Sequence, residues 1–145
     1  MEERFDGITD QKKEISESIL SITDSHPYYT QQLAFTVWEL FNRSWQGTDI
    51  VGMASDEIVQ SHDNDNERFW NSFNRTDMMI LTGIASGNIS PLSEEFSRTF
   101  GSGASSTVFS ALQRLTGKGI LIKEGSAYYI DDPFFKKWII MRRQS

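Results

Sequence analysis

The side chains that carry acid–base or nucleophilic chemistry are sparse in this sequence. Its two histidines, His26 and His62, stand far apart, it has no cysteine, and no serine lies in a Gly-x-Ser-x-Gly elbow, so the pairings that activate a nucleophile are missing. His62 is followed by Asp63 and Asp65, a set that could be drawn as a metal site, but an acidic loop accounts for it more simply and no metal ligands are assigned. Gly101-Ser102-Gly103 could offer backbone amides to a phosphate, yet no Gly-Lys-Ser/Thr follows, so it reads as a turn. The carboxylate pairs Glu94-Glu95 and Asp131-Asp132 lie near helix starts, where the helix dipole favours negative charge. No catalytic residue is assigned, and the chain by itself is not expected to be an enzyme.

Binding chemistry is better represented. Ser106, Thr107, Ser110, Gln113 and Arg114 fall on the outward side of a helix whose inward positions are Val108, Ala111, Leu112 and Leu115, and Lys118 and Lys123 follow closely. Hydroxyls, an amide, a guanidinium and two ammonium groups on one surface can contact phosphates. The same residues would also keep an exposed helix in water. A surface of this composition suits double-stranded DNA or a protein partner, and the sequence leaves the two open.

The elements that must position this surface follow from periodicity. Ile8, Ile15, Ile19 and Ile22 form the stripe of a first helix, broken at Asp24-Ser25-His26 before Pro27, which suits the first position of a second. That second helix carries Tyr28, Tyr29, Leu33, Phe35, Val37, Trp38, Leu40 and Phe41 on more than one face, so several neighbours are expected to bury it. Thr48 can cap a third helix with Val51, Ala54 and Ile58. A polar break at 62–66 and an aromatic group, Phe69, Trp70 and Phe73, complete an all-α first half. In the second half Asp77 can cap a helix that ends at Gly87. Leu92, Phe96 and Phe100 share one face of a short helix, and Gly101-Ser102-Gly103 turns the chain into the helix begun by Ser105 or Ser106. Ile120–Lys123 and Tyr128–Ile130 flank turn residues as a β-hairpin, and Asp132-Pro133 starts a last helix ending in Arg142-Arg143. The order helix, helix, helix, strand, strand, helix is that of a winged helix-turn-helix, with the hairpin as the wing. The fold class expected is mainly α: a helical bundle over residues 1–74, then a winged helix with a two-stranded wing over residues 75–145.

Composition agrees with two small units. The 145 residues are 38% apolar with a net charge of −6, enough for one ordinary core or two small ones. Residues 1–74 carry 14 acidic and 5 basic side chains and residues 75–145 carry 6 and 9. The two halves are therefore expected to do different things, and the net charge argues against a protein that coats nucleic acid or membrane by bulk charge alone. No apolar run has membrane-spanning length, the N-terminal Met-Glu-Glu-Arg-Phe-Asp lacks the order of a signal peptide, and a chain without cysteine is compatible with a reducing compartment. A cytoplasmic location is expected.

His26-Pro27-Tyr28-Tyr29-Thr30-Gln31-Gln32-Leu33-Ala34, followed by Val37-Trp38, resembles the lid helix of prokaryotic AAA+/STAND-type ATPases, the group often called archaeal ATPases. The later run Ser105-Ser106-Thr107-Val108, Ala111-Leu112, Gly119-Ile120-Leu121, Tyr128-Tyr129-Ile130 and Asp131-Asp132-Pro133-Phe134-Phe135 is similar to the winged helix that follows the lid there. The resemblance implies a C-terminal regulatory fragment of an ATPase, with His26 and Pro27 as nucleotide-contact positions at the lid. Where relatives commonly have glycine two residues before the proline, this chain has Ser25. It also lacks the Gly-x-x-x-x-Gly-Lys-Ser/Thr that would hold phosphate and magnesium. ATP with magnesium would belong to the parent protein, whose missing N-terminal P-loop domain is the first partner the resemblance implies. The alternative is a stand-alone winged-helix DNA-binding transcriptional regulator whose N-terminal helices form a dimerisation or effector domain.

Overall fold

A computed structural model describes residues 11–43, 47, 49–100 and 104–144, and its backbone separates into two compact units, residues 1–62 and 63–145. It is mainly helical with one two-stranded antiparallel sheet. The division falls twelve residues before the change of charge balance at residue 74, because Asp63–Asn71 forms a helix that packs with the second unit.

The first unit contains α1 (Gln11–Thr23), α2 (Pro27–Asn42) and α3 (Ile50–Ser61). Ile19, Leu33, Val37, Leu40, Ile50, Val51, Ala54, Ile58 and Val59 are buried and form its core. Pro27 occupies the first turn of α2, where a missing N–H costs nothing. At the start of α3 the capping side chain is Asp49, which accepts from the Gly52 N–H at 2.9 Å; Ile8 and Thr48 lie outside the described residues. Thr23 is buried and satisfied twice, donating to the Ile19 carbonyl and sharing a 2.7 Å contact with the Thr30 hydroxyl across the α1–α2 corner. The expectation that neighbours bury α2 on several sides is corrected: Tyr28, Phe35 and Phe41 are exposed, at 67%, 52% and 45%. The buried residues of α2 are Leu33, Val37 and Leu40, on the side that packs with α1 and α3.

The second unit runs α4 (Asp63–Asn71), α5 (Arg75–Ala85), α6 (Glu94–Phe100), α7 (Ser105–Gly117), β1 (Leu121–Glu124), β2 (Ala127–Ile130) and α8 (Pro133–Gln144). The polar run at 62–66 is thus a helix start rather than a loop, with Asp63 and Asp65 in the first turn of α4 where the dipole favours them. The α4 aromatics meet α8: Trp70 lies edge-on to Trp138, Phe135 stacks on Trp138, and the indole N–H of Trp138 donates to Asp63 at 2.8 Å. Arg142 of α8 pairs with Glu67. The helix-turn-helix core is Ile80, Leu81, Ile84, Phe96, Val108, Leu112, Leu115 and Leu121. Leu92 precedes α6 and is exposed, so the four-residue stripe begins at Phe96; the turn 101–103 lies outside the described residues.

In the wing Leu121 faces Ile130 and Glu124 faces Ala127 around a two-residue turn at Gly125-Ser126. One backbone bond, Tyr128 N–H to the Ile89 carbonyl at 3.0 Å, ties the wing to the segment after α5. Asp132 accepts from the N–H groups of Phe134 and Phe135 and opens α8 as the sequence suggests.

Three helices end with the same pair of backbone bonds. After α1, Ser25 N–H reaches the Leu20 carbonyl and Asp24 N–H the Ser21 carbonyl. After α5 the pairs are Asn88 to Gly83 and Gly87 to Ile84, and after α7 they are Ile120 to Leu115 and Gly119 to Thr116. Each pair needs a left-handed residue just past the helix, and φ is 51° at Asp24, 101° at Gly87 and 76° at Gly119. Two of the three positions have the residue that adopts this conformation without penalty; the third has aspartate, followed by Ser25 at φ 58°.

Candidate functional site

The surface assigned from sequence to α7 is built as follows. Val108, Ala111, Leu112 and Leu115 are buried, and this fixes the rotation of the helix so that Ser106, Thr107, Ser110, Gln113 and Arg114 stand exposed. Among the described residues, the side chains of Ser106, Thr107, Ser110 and Gln113 take part in no internal hydrogen bond. Their donors and acceptors are available to a partner. Helix α7 starts from Ala104 without a side-chain cap, so neither Ser105 nor Ser106 is spent on capping. Lys118 is exposed at the end of α7, and Lys123 is exposed on β1 with its ammonium 5.8 Å from the centre of the Tyr128 ring.

Arg114 differs from the hydroxyl and amide residues of α7 in having a partner within the fold. Its guanidinium pairs with Asp77 of α5, whose residue is only 4% exposed. Burial of a carboxylate is costly unless a cation and hydrogen bonds compensate it, and Arg114 provides both. Asp77 therefore does not cap α5. The cap is Asn74, whose side-chain oxygen accepts the Asp77 N–H at 2.8 Å. The sequence signal was Asn74-Arg75-Thr76-Asp77, a capping residue three positions before a carboxylate, with the register of the helix start misplaced.

Between the first turn of α5 and the flank of α7 lies a recess of about 320 Å³, lined by Asn74, Thr76, Ser106, Thr107, Ser110 and Arg114. It gathers four residues assigned from sequence and adds Asn74 and Thr76, which sequence reasoning missed. Gln113, Lys118 and Lys123 do not line it.

In the first unit, His26 is the extended residue before α2 and Pro27 its first helical residue. The His26 ring packs 4.6 Å from that of Tyr29, and its carbonyl accepts the Thr30 N–H at 2.8 Å. A second recess, about 510 Å³, runs along α2 and α3 past Tyr28, Gln31, Phe35, Glu39, Glu57 and Ile58. Neither His26 nor Pro27 lines it. Arg43 forks onto Glu57 at 3.1 and 3.2 Å nearby.

Among the described residues, no three or more His, Asp or Glu side chains are grouped to hold a metal ion, and no helix is long and apolar enough to cross a membrane. No curated protein and no solved structure matches the chain. Residues 65–141 match the family model described as a probable winged helix domain, and that span contains most of α4, all of α5 to α7, the wing and most of α8. With just over half of its length matched and the helix-turn-helix and wing in place, the chain belongs to the probable winged helix domain family.

Proposed function

We propose that the second unit binds duplex DNA through α7 and the wing, and that the chain is the regulatory C-terminal part of an AAA+/STAND-type P-loop ATPase. The observation that carries the DNA reading is the outer face of α7. It is a row of exposed hydroxyl and amide groups that the fold does not use, held in register by a fully buried inner stripe, with Lys118 at its end and Lys123 on the wing. Such a face supplies hydrogen bonds to phosphates and base edges, while the wing lysine adds a backbone contact. The second unit holds 10 basic and 9 acidic residues, so attraction to DNA is local to this face rather than a property of the whole unit. Replacing Lys118 and Lys123 together by alanine should weaken binding to duplexes of unrelated sequence by similar factors, measured by fluorescence anisotropy. Unchanged affinity would remove the wing side from the interface.

Support for the ATPase reading comes from the α1–α2 corner. The lid motif of the ATPases it resembles commonly has glycine at the position of Ser25, and here that residue has φ 58°, a conformation glycine adopts freely. Pro27, which matches the proline of the motif, stands at the helix start. In this reading His26 and Pro27 lie at the edge of a nucleotide held by a P-loop domain of the same polypeptide. That domain supplies the phosphate and magnesium chemistry, and its nucleotide state biases how the winged helix is presented. An antibody against this chain tests it on a denaturing gel of the source cells. The expected result is a band far above 16.6 kDa whose peptides include a P-loop, and a band at 16.6 kDa would favour the stand-alone regulator.

One observation favours a protein partner instead. Phe109 on α7 and the cross-strand pair Ile122 and Tyr129 on the wing are exposed, and large apolar side chains at a surface are more typical of protein interfaces. Absence of any duplex binding would transfer the proposal to that class.

A further inference from the structure

The recess between α5 and α7 shares Ser106, Thr107 and Ser110 with the face that carries the DNA reading and adds Asn74, Thr76 and an arginine held by Asp77. It lies on the flank of α7 that faces α5, and two of its lining residues, Asn74 and Thr76, come from outside the helix-turn-helix surface. Its groups are those that hold a phosphate: one guanidinium and four hydroxyls, from Thr76, Ser106, Thr107 and Ser110. The guanidinium is also held in place. Arg114 spends part of its five-donor fork on the buried Asp77 carboxylate, and its side chain remains two-fifths exposed, so further N–H donors can serve a second acceptor. Fixing an arginine before the ligand arrives removes part of the ordering cost of binding.

The geometry points to a seat for one DNA backbone phosphate in this recess, with Arg114 as the positioned cation, Asp77 as the residue that positions it, and the four hydroxyls around it. The proposal rests on the DNA reading above and deepens it. A phosphate held on the α5 side would fix the register of the duplex against α7, while Gln113 and the wing, which do not line the recess, meet the groove and the far strand. Asp77 acts through Arg114 and does not touch the ligand.

The test uses the full chain and a mixed-sequence duplex, with affinity measured from about 50 to 200 mM salt. Each phosphate neutralised contributes about 0.9 to the slope of log affinity against log salt. Arg114, Lys118 and Lys123 together give a slope of about 2.7, an affinity loss of about 40-fold over that range. The double variant Asp77→Asn/Arg114→Gln keeps a neutral hydrogen-bonded pair in place of the ionic one and should lose only about 12-fold. Lys13→Gln, a change at an exposed residue of α1, is the control and should keep the parent slope. Thr76→Glu puts a negative charge into the recess from the first turn of α5, outside the α7 face that carries the DNA reading, and should weaken binding at least tenfold with an unchanged circular-dichroism spectrum. It decides the matter if the double variant fails to fold. Inorganic phosphate alone, titrated into labelled protein, separates the two sources of the same chemistry. Saturation of the Thr76 and Ser110 amide shifts at micromolar phosphate, with no duplex competition, would assign the recess to the free ion and overturn the proposal. Parent-like slope in Asp77→Asn/Arg114→Gln and parent-like affinity in Thr76→Glu overturn the seat while leaving the DNA reading standing. No duplex binding by the unaltered chain overturns both.

Discussion

The end of α1 sets up a comparison within one molecule. Asp24, Gly87 and Gly119 perform the same task, a left-handed residue closing a helix with two backbone bonds, and only Asp24 carries a side chain. A non-glycine residue in this conformation costs roughly 1–2 kcal/mol, and glycine brings back roughly 0.5–1 kcal/mol through the greater freedom of the unfolded chain. Asp24 is exposed, so its replacement removes no packing. Asp24→Gly should therefore stabilise the first unit by about 0.5–1 kcal/mol, a two- to five-fold increase in local protection. The converse holds at the end of α7. A Cβ at Gly119 meets nothing within 4 Å, so Gly119→Ala should cost about 1 kcal/mol from backbone strain alone. Because the two units need not unfold together, amide hydrogen exchange read peptide by peptide is the suitable assay, with α1 and α2 reporting on Asp24→Gly and α7 on Gly119→Ala. Loss of protection in α1 on Asp24→Gly, beside the expected loss in α7 on Gly119→Ala, would refute the reasoning. It would mean that the Asp24 side chain contributes more than its backbone strain costs.

Other outcomes follow from the second unit. Arg114→Ala should destabilise it by about 2 kcal/mol, below the usual cost of stranding a buried charge because the arginine is partly solvated. Asp77→Ala/Arg114→Ala should recover part of that loss, as read by denaturant titration with tryptophan fluorescence. Phe96→Ala empties a site that is 2% exposed and should cost about 3–5 kcal/mol, enough to melt the helix-turn-helix near room temperature; a loss under about 1 kcal/mol would show that α6 is not part of the core.

Much of the fold was legible because strong local signals coincide with tertiary demands. The stripe Val108, Ala111, Leu112 and Leu115, the turn between two apolar β runs, and Asp132 before Pro133 each read the same locally and in the packed chain. What was missed has physical causes. Asp63 and Asp65 looked like loop residues because acidic and amide side chains favour both loops and helix starts, and only the distant Trp138 and Arg142 reveal that α4 exists to cover α8. The α2 aromatics were expected in a core, yet periodicity reports amphipathicity and not which faces a small bundle can cover; Tyr28 and Phe35 remain outside. On the site, the α7 residues were readable from spacing alone. The link from Arg114 to Asp77 joins residues 37 apart and could not be read locally. Asn74 and Thr76 entered the site only once the start of α5 was placed against α7.

The most direct measurement is the affinity of the full chain for a mixed-sequence duplex as a function of salt. Binding at about 50 mM salt that falls by about 40-fold at about 200 mM, as three neutralised phosphates require, is the expected result. No measurable association at the lower salt, or an affinity indifferent to salt, would contradict DNA recognition by the α7 and wing surface and turn that face over to a protein partner.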